Sequence, residues 1–149
     1  MAYATPADRN AADRFGEEGY QELLDAILAC VFSRQPIGGS RLFTVEGTGY
    51  QDAHDAIPFM IPDTESAGAV YRVDVWLRTA DAATTITPKI RNITDSTDAV
   101  VGSAEDATSF TKQTLTFTPV VAKEYRLQFA KSDDLIPCWG FGILQRSDS

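Results

Sequence analysis

From Tyr71 to Leu144, apolar and polar residues alternate with period two in one short run after another. In Tyr71-Arg-Val-Asp-Val-Trp-Leu-Arg78, one face carries Tyr71, Val73, Val75 and Leu77, and the other carries Arg72, Asp74, Trp76 and Arg78. Successive side chains of a pleated backbone point to opposite faces, so this is the pattern of a half-buried strand. Comparable runs predict strands over Arg41 to Val45, Val70 to Thr79, Thr85 to Thr94, Ala99 to Ser103, Lys112 to Pro119, Glu124 to Ala130 and Cys138 to Gln145. Ala56 to Ile61 is apolar but contains Pro58 and precedes Pro62, which places it at an edge or in irregular structure. The connections are rich in Asp, Ser, Thr, Ala and Gly, as turns are.

Strands at this spacing with no helices between them predict a mainly β fold, an antiparallel jelly roll or β-sandwich. Its expected core is Tyr71, Val73, Val75, Leu77, Ile86, Ile90, Leu115, Phe117, Tyr125, Leu127, Phe129, Trp139, Phe141 and Ile143. Burying side chains of this size contributes roughly 1.5–3 kcal/mol each before entropy is counted.

The periodicity changes before residue 37. Residues 1–15 are small and polar and predict an N-terminal arm. Residues 16–36 predict one amphipathic helix, and residues 37–149 the β-sandwich domain. Tyr20, Leu23, Leu24, Ile27, Leu28, Val31 and Phe32 recur at three- and four-residue steps and form one apolar stripe. Gly16 suits the N-cap, Glu17 and Glu18 suit the positive end of the helix dipole, and Pro36 with Gly38-Gly39 ends the run. The stripe can pack on the domain's own sheet or line an interface between copies of the chain, as in a short coiled-coil collar.

Composition sharpens this picture. A chain of 149 residues with 44% hydrophobic and 23% charged residues is one globular domain of ordinary size. Its formal net charge of −8 opposes binding to a phosphate backbone, so nucleic acid is not an expected partner. The opening Met-Ala-Tyr-Ala-Thr-Pro-Ala-Asp-Arg has no basic stretch running into an apolar one, so no secretory signal is expected. No membrane span is expected either. Cys30 and Cys138 stand far apart in different local patterns and read as buried thiols.

Little in the chain points to chemistry. His54, in Asp52-Ala-His-Asp55, is the sole histidine, so a triad or a metal cluster would have to be built on it alone. A hydrolase would have to use His54 or the acidic turns. The pairs Asp63 and Glu65, Asp95 and Asp98, Glu105 and Asp106, and Asp133 and Asp134 lie in turn-like segments. Such turns could hold a calcium ion, although no EF-hand spacing is present. Gly38-Gly39 and Gly47-Thr-Gly49 lack the strand-to-helix context of a phosphate loop. No catalytic residue and no metal ligand is assigned, and the chain is not expected to be an enzyme.

The outward faces hold the candidate ligand residues. If the central strands pair, Trp76 and Arg78 lie near Lys89, Arg91, Arg126 and Gln128. An outward Trp can stack on a sugar ring while Arg and Gln bond its hydroxyls. Alternatively, Trp76 faces the second sheet, the helix or a neighbouring subunit, and the arginines pair with Asp74 or other acids. Asn92-Ile93-Thr94 spells a glycosylation acceptor.

Four segments in order carry a resemblance: Tyr71 to Arg78, Ile90-Arg-Asn-Ile-Thr-Asp-Ser-Thr97, Phe110 to Thr118, and Glu124-Tyr-Arg-Leu-Gln-Phe129. They resemble the strand series of jelly-roll modules of the carbohydrate-binding, galactose-binding-like type. The Ile90 to Thr97 variant resembles β-domains of tailed-phage virions: capsid decoration proteins, head fibres and tail appendages. The resemblance implies a non-enzymatic virion structural protein, a homotrimer or another ring. It implies attachment to other virion proteins through the arm and helix, with the β-domain displayed. A carbohydrate-binding or host-adsorption module with a glycan partner is the alternative.

Overall fold

The computed structural model describes residues 34–147. The expected arm and almost all of the expected helix, including its stripe from Tyr20 to Phe32, lie outside the described residues. The chain divides between Arg34 and Gln35 into two units, and the β-domain is the second. Its first described strand starts at Gln35.

Among the described residues nine strands form: β1 (Gln35–Ser40), β2 (Gln51–Asp52), β3 (Phe59–Met60), β4 (Val70–Thr79), β5 (Ile86–Asn92), β6 (Thr97–Val101), β7 (Thr111–Phe117), β8 (Glu124–Lys131) and β9 (Cys138–Ser147). All pairings are antiparallel. The first sheet has the order β1-β9-β4-β7. The second has β2-β8-β5-β6, with β3 also pairing β8. From β4 onward the chain changes sheet at every connection except the β5–β6 hairpin, as it does in a jelly roll. The mainly antiparallel β class is thus the observed one.

Expected and observed strands agree closely from β4 to β9. Arg41 to Val45 is the exception: it is bend and irregular chain, and the first strand lies just before it. Gly39 explains how Gln35–Ser40 can pair despite its turn-like composition. Its φ is +88°, and a Cβ there would lie 2.0 Å from the carbonyl oxygen of Gly140. A side chain would push β1 off β9, so glycine is what allows this approach.

The core lies between the sheets. Val73, Val75, Leu77, Ile86, Ile90, Leu127 and Phe129 are fully or almost fully buried, and Tyr71, Leu115, Phe117 and Tyr125 join them. Ile37, Phe59, Ile61, Cys138 and Leu144 complete the cluster. Tyr125 also donates through its hydroxyl to the Val120 carbonyl and accepts from the Val120 N–H, so its polar end is satisfied.

Three expected core residues face the other way. Trp139, Phe141 and Ile143 are only half-buried, and the inward positions of β9 are Cys138, Gly140, Gly142 and Leu144. The alternation is as expected but its parity is reversed. The opposite sheet supplies the reason: Leu127 and Phe129 of β8 fill the space over β9. A Cβ on Gly142 would sit 2.6 Å from Leu127 Cδ2, and one on Gly140 2.7 Å from the Phe129 ring. Close packing leaves room there for backbone only.

Candidate functional site

The reversed parity of β9 builds an aromatic surface on the outside of the first sheet. Phe141 pairs with Trp76 in register, and Trp139 with Arg78. Cross-strand partners stand close enough for their side chains to touch. The Trp76 and Phe141 rings stack at 5.1 Å with 6° between their planes, and Phe110 meets Phe141 edge-on at 5.7 Å. Arg41 lies 5.0 Å from the Phe141 centroid and 5.4 Å from that of Phe110, and Arg78 lies 4.9 Å from the Trp139 ring. These guanidiniums meet the electron-rich ring faces.

Beside this row, Asp74 accepts from Arg72 at 2.9 and 2.8 Å and from the Thr114 hydroxyl at 2.8 Å. The hydrogen bond from Arg72 is the main reason the Asp74 carboxyl lies below the usual carboxylate range, and burial works against it. A mainly apolar depression of about 370 Å³ continues the surface toward β1, lined by Pro36, Gly39, Arg41, Ile57, Phe141 and Ile143, among others.

The expected ligand face does not assemble as one surface. Trp76 and Arg78 belong to the first sheet, whereas Lys89, Arg91, Arg126 and Gln128 lie on the outer face of the second. β4 and β5 do not pair, because the chain crosses between sheets after Thr79. The cations of the second sheet are engaged. Lys89 and Arg91 both pair with Asp98, at 3.0 and 2.7 Å, and Lys89 also sits 3.9 Å from the Tyr50 ring. Arg126 pairs with Asp52 and Glu124.

Two carboxylates of the acidic turns are engaged as well. Glu65 accepts from the Tyr71 hydroxyl and pairs with Arg146, and Asp95 pairs with Lys123. Among the described residues, no group of three or more His, Cys, Asp or Glu side chains gathers where a metal could sit. Asn92 is 4% exposed and exchanges hydrogen bonds with Asp95, so its amide is occupied in the turn.

A second concavity, of about 440 Å³, lies where the segment after β1 crosses to β2. Its walls include Phe43, Glu46, Tyr50, Asp52, His54 and Gln128. The Val45 N–H donates to the Cys138 carbonyl and ties the segment to β9. Gln128 Nε2 and Arg126 each donate to one Asp52 oxygen at 2.8 Å. Burial, the largest single influence, tends to raise the Asp52 pKa, but these two hydrogen bonds together with the Arg126 charge hold the group below its ordinary value. His54 packs on Phe43 with ring centroids 4.2 Å apart and meets Asp55 at 3.1 Å.

Sequence reasoning missed this concavity because Arg41 to Val45 alternates like a strand. Gly47-Thr-Gly49 was the available sign of a looping segment. It also missed Phe141 and Trp139 as surface residues, since apolar size alone assigns them inward.

The sequence matches no known protein family and no curated protein. In structure, the chain is similar to a carbohydrate-binding module CBM36 solved with calcium and xylotriose (TM-score 0.41, 13% identity, 76% of this chain and 98% of that one). It is also similar to a CBM6 module of Cellvibrio mixtus lichenase 5A solved with cellotriose (TM-score 0.42, 11% identity, 77% and 90%). A third similar structure is that of infectious bursal disease virus Gx strain (TM-score 0.41, 12% identity, 74% of this chain and 30% of that one).

Proposed function

We propose that this chain is a non-enzymatic structural component of a tailed-phage particle, packed against a neighbouring virion protein through the outer face of its first sheet. The observation that carries this is the orientation of β9. Its glycines face the core while Trp139, Phe141 and Ile143 face outward beside Trp76 and Phe110. A net-acidic domain that places large rings and stacked arginines outside has the composition of an interface centre, where Trp, Phe and Arg are enriched. The resemblance of the strand series to virion β-domains supplies the kind of assembly. Residues 1–33 provide the anchor, and copies of the chain form a trimer.

The test is co-sedimentation of purified chain with particles that lack it. Wild type is expected to sediment, and both a 1–14 deletion and a Trp76→Ser/Phe141→Ser variant to stay in solution. Retention of both variants on the particle overturns the reading. Light scattering should give a trimer that becomes a monomer without residues 1–33.

The alternative, glycan binding at Trp76, is less well supported by the face itself. Phe141 already covers one Trp76 ring face, and Arg78 covers Trp139. A glycan array run with wild type and Trp76→Ala separates the two readings, since only glycan binding at this face predicts a Trp76-dependent signal.

A further inference from the structure

The concavity between Phe43 and Gln128 is not used by the assembly surface proposed above, and its chemistry is of another kind. Phe43 is 55% exposed although it is a large hydrophobe. One ring face packs on His54, which sets the ring's orientation and leaves its other side toward solvent. Around it stand groups that accept or donate hydrogen bonds: Glu46, Tyr50, Asp52 and Gln128. The volume of about 440 Å³ falls within the roughly 300–1,000 Å³ of small-molecule sites.

The polar groups are placed and still have capacity. Asp52 uses one lone-pair site on each oxygen for Gln128 and Arg126, and a carboxylate has about four such sites. Gln128 spends one N–H on Asp52 and keeps its second N–H and its carbonyl oxygen. A ligand that fits offers several hydroxyls, able both to donate and to accept, beside a C–H face that can lie on Phe43. Glu46 and Asp52 line the walls, and the nearby cations are already paired: Arg126 with Asp52 and Glu124, and Lys89, which lies against the Tyr50 ring, with Asp98. That field repels an anion.

We propose that this concavity binds a neutral sugar, its C–H face on Phe43 and its hydroxyls on Asp52, Gln128 and Glu46. The site is independent of the assembly surface on the first sheet and stands or falls separately from it.

The experiment is an amide-detected NMR titration of the full chain with neutral methyl hexopyranosides and, in parallel, with methyl glucuronide. At least one neutral hexoside is expected to shift the amides of Thr44, Val45, Tyr50, Asp52 and Gln128 with a dissociation constant on the order of millimolar. Methyl glucuronide should bind ~10-fold more weakly or not at all, and Phe43→Ala should weaken the neutral sugar by about 10-fold while Phe43→Tyr retains it. Thr44→Trp, which fills the concavity from an exposed position, should abolish the shifts and serves as a second variant if Phe43→Ala misfolds. A matched tetrasaccharide that binds more tightly than the monosaccharide assigns the ligand to a glycan chain, and equal binding assigns it to a free sugar. The proposal is overturned if no neutral hexoside moves these amides, if the shifts survive Phe43→Ala or Thr44→Trp, or if the glucuronide binds equally well.

Discussion

Gly140 of β9 lies directly under the ring of Phe129 on β8, so near that a Cβ on Gly140 would stand 2.7 Å from both Cε1 and Cζ. Phe129 is almost fully buried and cannot swing into solvent. Gly140→Ala is therefore expected to destabilise the domain by about 1–3 kcal/mol, the usual cost of forcing extra atoms into a packed core. Phe129→Leu in the same chain should recover part of that loss, because it withdraws the atoms in conflict. Urea denaturation of the two single variants and the double variant measures this. Additive losses would mean that the ring and the glycine do not oppose one another.

The pairing of carboxylates sets the expected response to acid. Glu65 is held below its ordinary range chiefly by the hydrogen bond from the Tyr71 hydroxyl, and Asp98 chiefly by the bonds from Arg91 and then Lys89. Asp74 is lowered chiefly by Arg72. A carboxyl with a lowered folded-state pKa binds fewer protons folded than unfolded. Its contribution is present above the unfolded value, near 4, and is lost as pH falls through the folded one. Thermal midpoints should thus change little between about pH 7 and 5 and fall below about pH 4. Glu65→Gln, which keeps a partner for Tyr71 but cannot titrate, should flatten that fall. An unchanged acid slope in this variant would show that Glu65 is not among the groups responsible.

Which parts of this architecture were legible follows from what a strand pattern contains. Val73, Val75 and Leu77 alternate with Arg72, Asp74 and Arg78, so polarity alone orients β4, and the structure agrees. In β9 both sets are apolar or small: Trp139, Phe141 and Ile143 against Cys138, Gly140, Gly142 and Leu144. Size favours burying the first set, and what decides otherwise is Leu127 and Phe129 reaching across from another sheet. That information is not local to β9. The division of Trp76 from Lys89 likewise depends on β4 and β5 joining different sheets, which adjacent strands in sequence do not reveal. The concavity at Phe43 combines residues from the segment after β1 with Gln128 of β8, a pairing that only the folded chain creates.

Asp74 shows how an outward carboxylate can be structural. Its neighbours Thr114 and Arg72 satisfy it, with Lys112 at 3.7 Å, and it is 8% exposed despite facing away from the core. Asp74→Ala should cost about 1 kcal/mol, the net worth of hydrogen bonds to a charged group that keeps some contact with water. Combined with Thr114→Val, the loss should be smaller than the sum, since both changes remove the same bond. Chemical denaturation of the four chains measures the coupling, and zero coupling would contradict the contact.

Cys138 offers a reading of global opening. It is 0% exposed at the inward start of β9, with Sγ 3.7 Å from the Ile136 carbonyl oxygen. Burial is the main reason its thiol pKa is raised, and the Lys131 charge nearby only partly opposes this. The reactive thiolate is thus both scarce and shielded. In a Cys30→Ser chain, the remaining thiol should be inert to a soluble thiol reagent in native buffer and should react along the unfolding transition in urea. Its labelling rate would then report the population of opened molecules, as expected for a group released only by separation of the two sheets. Fast labelling without denaturant would show instead that the Lys131–Cys138 end of the sandwich opens locally.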